Sequence, residues 1–98
     1  MDRRAAVELA LRNLAPRLPR HEFEAVVDRA LASAGLRKAA PETAAWLALV
    51  AYARHVFTDY DALLADGYDQ DSARFFVRAD MDEALAGWGV RRRLAEED

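Results

Sequence analysis

AAWLALVAYA, residues 44–53, is apolar on every side when wound as a helix. A helix without a polar face must be surrounded by other elements, so this stretch is read as the centre of the domain. Its ten residues are about half of the roughly 20 that a membrane crossing requires, which makes it a core helix and argues against a membrane role. Pro41 suits the first turn, because its missing N–H has no helical acceptor to lose. Continued to Phe57, the helix is expected to pack through Trp46, Leu47, Leu49, Val50, Val56 and Phe57.

On either side of this stretch the apolar residues recur at helical spacing. Residues 3–14 set Val7, Ala10, Leu11 and Leu14 on one stripe behind an Asp2 cap, and Pro16 and Pro19 prevent continuation. A second helix over about 21–34 places Phe23, Val26, Val27, Ala30, Leu31 and Ala34 on one face, with Gly35 positioned for a left-handed C-terminal cap. Downstream, the spacing predicts a long helix over about 70–88, capped by Asp69 and ended by Gly89. Its apolar face is Ala73, Phe76, Val77, Met81, Ala84, Leu85 and Trp88. The tail VRRRLAEED, residues 90–98, lacks a periodic face, and residues 89–98 are expected to fray. The fold class is therefore all-α: one compact domain, residues 1–98, built as a bundle of four to five helices around a central apolar helix.

Composition narrows the chemistry. With no cysteine, disulfides, thiolate metal sites and cysteine nucleophiles are excluded. The N-terminal MDRRAAVELALRNL carries charges where a secretory segment needs an unbroken apolar run, so a cytoplasmic location is expected. Thirteen arginines stand against one lysine, together with heavy alanine use, as in a high-GC bacterial genome. The net charge of −3 is unevenly spread, residues 1–58 summing to +3 and residues 59–83 to −6. Such a dipole can orient a partner or a second copy of the chain.

The polar cluster ARHVFTDYDALL, residues 53–64, is where a site would lie. Thr58-Asp59-Tyr60-Asp61 fits a capping box opening a short helix from Asp59 to about Ala65, closed by Gly67. Arg54 and His55 are left over by that account. On a continuous helix His55 lies one turn from Asp59, and a carboxylate beside an imidazole fixes the tautomer a general base needs. The catalytic candidates are thus His55, Asp59 and Asp61, with Arg54 as an anion clamp, although the row lacks an evident nucleophile. The binding candidates are Arg54, His55, Thr58, Tyr60, Asp61, Arg74 and Phe75. Arg74 is expected near the Asp59–Asp61 turn, within reach of a forked pair to a carboxylate. Asp71 and Asp82 are expected to pair with Arg74 and Arg78, respectively.

No cofactor is expected. Asp59, Asp61, Asp66, Asp69 and Asp71 do not follow a calcium-loop spacing, and no second histidine is nearby for zinc, so no metal site is assigned. Arg37-Lys38 and Arg91-Arg92-Arg93, joined by Arg12, Arg17 and Arg20, are the clusters that would contact nucleic acid. The acidic balance makes nucleic acid the less favoured partner.

Taken together, Arg54-His55, Thr58-x-Tyr60-Asp61, Leu63-Leu64, Gly67, Ala73-Arg74 and Trp88 resemble the bacterial and fungal domain of unknown function family 2293. Where the family pattern has a histidine two residues before the arginine, this chain has Tyr52. The resemblance implies an all-helical bacterial domain and brings no assigned activity or cofactor. The functional expectation is a protein-binding or self-associating module without catalysis, with Phe75, beside the expected core face, as a contact residue. The alternatives are a hydrolase or nuclease-like enzyme using His55 with Asp59 or Asp61, and a nucleic-acid-binding module using the arginine clusters.

Overall fold

The computed structural model describes residues 1–98 as six α-helices, one 3-10 turn and no strand. The helices are α1 (Arg3–Leu14), α2 (Arg20–Ala32), α3 (Pro41–Phe57), α4 (Tyr60–Ala65), α5 (Gln70–Phe76) and α6 (Arg78–Gly87), with the 3-10 turn at Ala34–Leu36. The apolar stretch lies at the centre of α3, and α1, α2, α4 and α6 all pack against that helix. Ala44, Ala45, Trp46, Ala48, Leu49, Val50 and Ala53 are essentially inaccessible to solvent. They meet Val7 and Leu11 from α1, Val26, Val27 and Ala30 from α2, and Met81 and Leu85 from α6 in one continuous core. No helix is long and apolar enough to cross a membrane.

Local chemistry sets the helix ends. The Asp2 carboxylate accepts the Ala5 N–H at 2.8 Å, and the Asp69 carboxylate accepts the Ser72 N–H at 2.8 Å, each filling an otherwise unpaired first-turn donor. The bond from Ser72 also holds the Asp69 carboxyl below its usual pKa. Both α4 and α6 end in a Schellman motif. At α4 the N–H groups of Gly67 and Tyr68 reach the carbonyls of Leu64 and Leu63; at α6 those of Gly89 and Val90 reach Ala86 and Leu85. Gly67 and Gly89 have φ of 98° and 84°, the left-handed geometry that glycine tolerates.

Several expectations change in three dimensions. Helix α2 stops at Ala32 and a 3-10 turn follows, so Gly35 is not a left-handed cap. The long final helix divides at Val77, whose ψ of 2° turns the chain between α5 and α6. The buried stripe there runs Ala73, Val77, Met81 and Leu85, in steps of four. Phe76 trails that line by one residue and lies 56 % exposed, off the core face assigned to it. Val56 and Phe57, in the last turn of α3, also emerge at the surface, with the Phe57 ring edge-on to Trp88.

Residues 89–98 form no helix, yet they are anchored where fraying was expected. Leu94 is buried, the Arg78 guanidinium donates to its carbonyl, and the Arg54 Nη2 donates to the Asp98 main-chain oxygen at 2.8 Å. Arg92 stacks over the Trp46 ring, 4.4 Å from its centroid. Main-chain carbonyls and an aromatic face supply the contacts that the missing apolar periodicity could not announce.

Candidate functional site

The cluster at residues 54–61 is a hinge between α3 and α4. Thr58 ends α3; its hydroxyl donates back to the Arg54 carbonyl and accepts the Tyr60 N–H at 3.2 Å. This is a cap, but not the reciprocal box expected, since the Asp61 carboxylate turns to His55 instead. His55 Nδ1 and Asp61 Oδ1 lie 2.7 Å apart, with both side chains solvent-exposed. Asp59 occupies the N-cap position of α4 and its side chain makes no capping bond. The buried Tyr60 ring sits between two neighbours, edge-on to His55 at 5.5 Å and beneath the Arg54 guanidinium at 5.7 Å.

Arg54 faces a different place from His55. With Arg74, Phe75, Arg78, Met81 and Leu94 it lines a cleft of about 540 Å³. His55, Asp59 and Asp61 are not among the lining residues, so the structure separates the candidate base from the candidate anion clamp. Arg54 is only 7 % exposed. Its Nε and that of Arg74 are buried without a hydrogen-bond partner. Burial, and next the positive charge of Arg74, push the Arg54 pKa below its ordinary value.

The ion pairs expected for these arginines do not form. The chain's carboxylate pairs within 4.0 Å are Arg4–Asp28, Arg20–Glu24 and His55–Asp61. Arg74 therefore forks neither to Asp59 or Asp61 nor to Asp71, and Arg78 reaches the Leu94 carbonyl in place of Asp82. Asp71 lines the same cleft as Arg74 and Arg78 but stays solvent-exposed at its rim, beyond 4.0 Å of either guanidinium.

Beside the cleft, Phe75 is 77 % exposed and its ring meets Phe76 at 5.8 Å. Phe76 in turn meets the Tyr68 ring at 5.4 Å, and Tyr68 is itself 47 % exposed. The contact residue expected at Phe75 is one of three adjoining rings. Tyr68 and Phe76, like Arg78, are missed by reading each helix alone; the Gly67 turn, which swings Tyr68 towards α5, is the signal that could have joined them.

The other candidates are spread over the surface. Arg12 stacks on Phe23, Arg17 donates to the Ala86 carbonyl, Arg20 pairs with Glu24 and Arg92 covers Trp46. The aspartates of residues 59–71 do not gather into a group of three that could hold a metal ion.

No curated protein and no solved structure matches the chain. A family model described as "Uncharacterized conserved protein (DUF2293)" matches residues 10–89, from within α1 through the glycine that caps α6. That span contains the hinge, the three cleft arginines and the aromatic rings, and the chain belongs to this family.

Proposed function

We propose that the chain is a protein-binding module without catalytic activity of its own, docking through the ledge formed by Tyr68, Phe75 and Phe76, with a second copy as the partner to test first. The observation that carries this reading is the ledge itself, three adjoining rings of which Phe75 and Phe76 are more than half exposed. Adjoining exposed aromatics are unusual on a surface that meets only water, and such rings bring large contact area at small entropic cost. The uneven charge, positive over residues 1–58 and negative over 59–83, supplies attraction between copies placed head to tail. Sedimentation velocity over a range of concentrations tests it. The wild-type mass should rise with concentration and Phe75→Glu should remain monomeric, whereas coincident monomer profiles would remove the ledge from consideration.

A hydrolytic or nuclease-like role is the second reading, and the 2.7 Å contact between His55 and Asp61 favours it. An aspartate on Nδ1 leaves Nε2 as the available base. Turnover of ester or phosphodiester substrates that vanishes in His55→Ala would support this reading over the first.

A further inference from the structure

The cleft between α3, the α5–α6 bend and residues 94–98 brings three arginines together, with the exposed Asp71, Glu96 and Glu97 also in its lining. Arg54 projects from α3, while Arg74 and Arg78 lie on either side of the Val77 bend. None has a side-chain carboxylate within 4.0 Å, and the negative charge acting on Arg54 is that of Asp98. Two of their Nε groups are buried and unpartnered, one of them on a side chain more than nine-tenths buried. A desolvated guanidinium beside a second one is costly, and methionine or leucine would fill the same volume without that cost. Buried guanidinium donors left without an acceptor point to a site that receives one.

We propose that this cleft binds a phosphate group carried on a small organic molecule, and that residues 94–98 act as a built-in competitor at its mouth. Phosphate suits the donor set better than carboxylate. It offers three terminal oxygens and up to two negative charges to three guanidinium forks, where a carboxylate offers two oxygens and one charge. The volume of about 540 Å³ is that of a small-molecule site and exceeds what a bare ion would fill. Phe75, Met81 and Leu94 provide apolar wall for the group that carries the phosphate.

The competitor is visible in the hydrogen bonds. Main-chain oxygens of Leu94 and Asp98 already accept from Arg78 and Arg54, and the exposed carboxylates of Glu96 and Glu97 line the same opening. The Leu94 carbonyl occupies an outer nitrogen of Arg78 without neutralising its charge, whereas Asp98 brings negative charge to Arg54. An arriving phosphate can therefore displace them, against the repulsion of the two glutamates.

The test is a calorimetric titration of the full chain with phenyl phosphate, inorganic phosphate and benzoate. Phenyl phosphate should saturate with a Kd below about 1 mM, and each of the other two should bind at least about tenfold more weakly. Arg74→Gln, at a half-buried position, should weaken phenyl phosphate about tenfold, the loss of one charge-assisted contact. Arg78→Gln gives a second reading should that variant fail to fold by circular dichroism. The double variant Glu96→Gln/Glu97→Gln should tighten binding about threefold by removing repulsion at the mouth. Five results would each overturn part or all of the proposal. No saturable binding of phenyl phosphate up to about 10 mM, or equal binding in the folded arginine variant, removes the site. Benzoate as tight as phenyl phosphate removes the phosphate assignment, and inorganic phosphate as tight removes the organic carrier. An unchanged affinity in the double glutamine variant removes the competitor.

Discussion

Replacing Arg54 by methionine should make the protein more stable. Methionine keeps a flexible chain of similar reach, so the packing of the arginine stem against α3 and Tyr60 survives. Two favourable terms disappear. One is the hydrogen bond from Nη2 to the Asp98 oxygen at 2.8 Å, worth about 1.5 to 3 kcal/mol as a charge-assisted contact. The other is the guanidinium placed over the Tyr60 ring, worth about 0.5 to 1 kcal/mol. Against them stands the cost of holding a charge that is 7 % exposed, with no side-chain carboxylate within 4.0 Å and one nitrogen unpartnered. That penalty is several kcal/mol for one ion, on the order of 3 to 5. Repulsion from Arg74 adds roughly 1 kcal/mol more, partly offset by attraction to Asp98.

The balance favours methionine by about 1 to 2 kcal/mol, which in a chain of this size raises the melting temperature by at least about 4 °C. Burial and Arg74 lower the Arg54 pKa, but arginine stays protonated throughout the working pH range, so the penalty is present at every pH and only substitution reveals it. Urea unfolding followed by circular dichroism, at low ionic strength in a buffer free of phosphate, is the assay. A lower urea midpoint for Arg54→Met, at unchanged slope, would refute the reasoning. Arg54 would then be a structural anchor for residues 94–98, with the buried charge costing less than its contacts return.

Two further outcomes separate local effects. Gly67 and Gly89 share left-handed backbone, but an added Cβ at Gly67 meets nothing within 4 Å while one at Gly89 comes 3.0 Å from Pro16. Urea midpoints should therefore place Gly67→Ala about 1 to 2 kcal/mol below wild type and Gly89→Ala about 2 to 4 kcal/mol below; equal losses would mean that the Pro16 ring yields freely. For the hinge, a double-mutant cycle on His55→Ala and Asp61→Ala should give a coupling energy below about 1 kcal/mol, as for other exposed pairs, and a value above about 2 kcal/mol would require partners beyond these two side chains.

The central helix could be read from residues 44–53 because lacking a polar face is a property of the residues themselves. The Asp2 and Asp69 caps and the two Schellman glycines were equally legible, since each depends on neighbours within six residues. What could not be read is how far the surrounding helices extend. Val56 and Phe57 are apolar enough for a core, but at the end of α3 about half of each stays exposed. The site was half legible for the same reason. Arg54, Arg74 and Phe75 were picked out individually and do line one cleft, whereas Arg78 was assigned to a surface pair with Asp82. Its true partner is the carbonyl of Leu94, and a carbonyl carries no side-chain signature in the sequence. His55, the most conspicuous polar residue in the hinge, pairs with Asp61 at 2.7 Å and is not among the residues that line the cleft.

The turn between α1 and α2 is fastened to the far end of the chain. The Arg17 N–H donates to the Trp88 carbonyl at 2.9 Å, and the same residue's guanidinium reaches the Ala86 carbonyl at 3.1 Å. The helices on either side can each gain their internal bonds early, from residues a few positions apart, but this seam closes only when both halves have met. Arg17 is thereby a clock for the last stage of folding. Its amide is sheltered from hydrogen exchange by residues near the opposite terminus, so its protection records the assembly of the whole chain and not of the helices beside it.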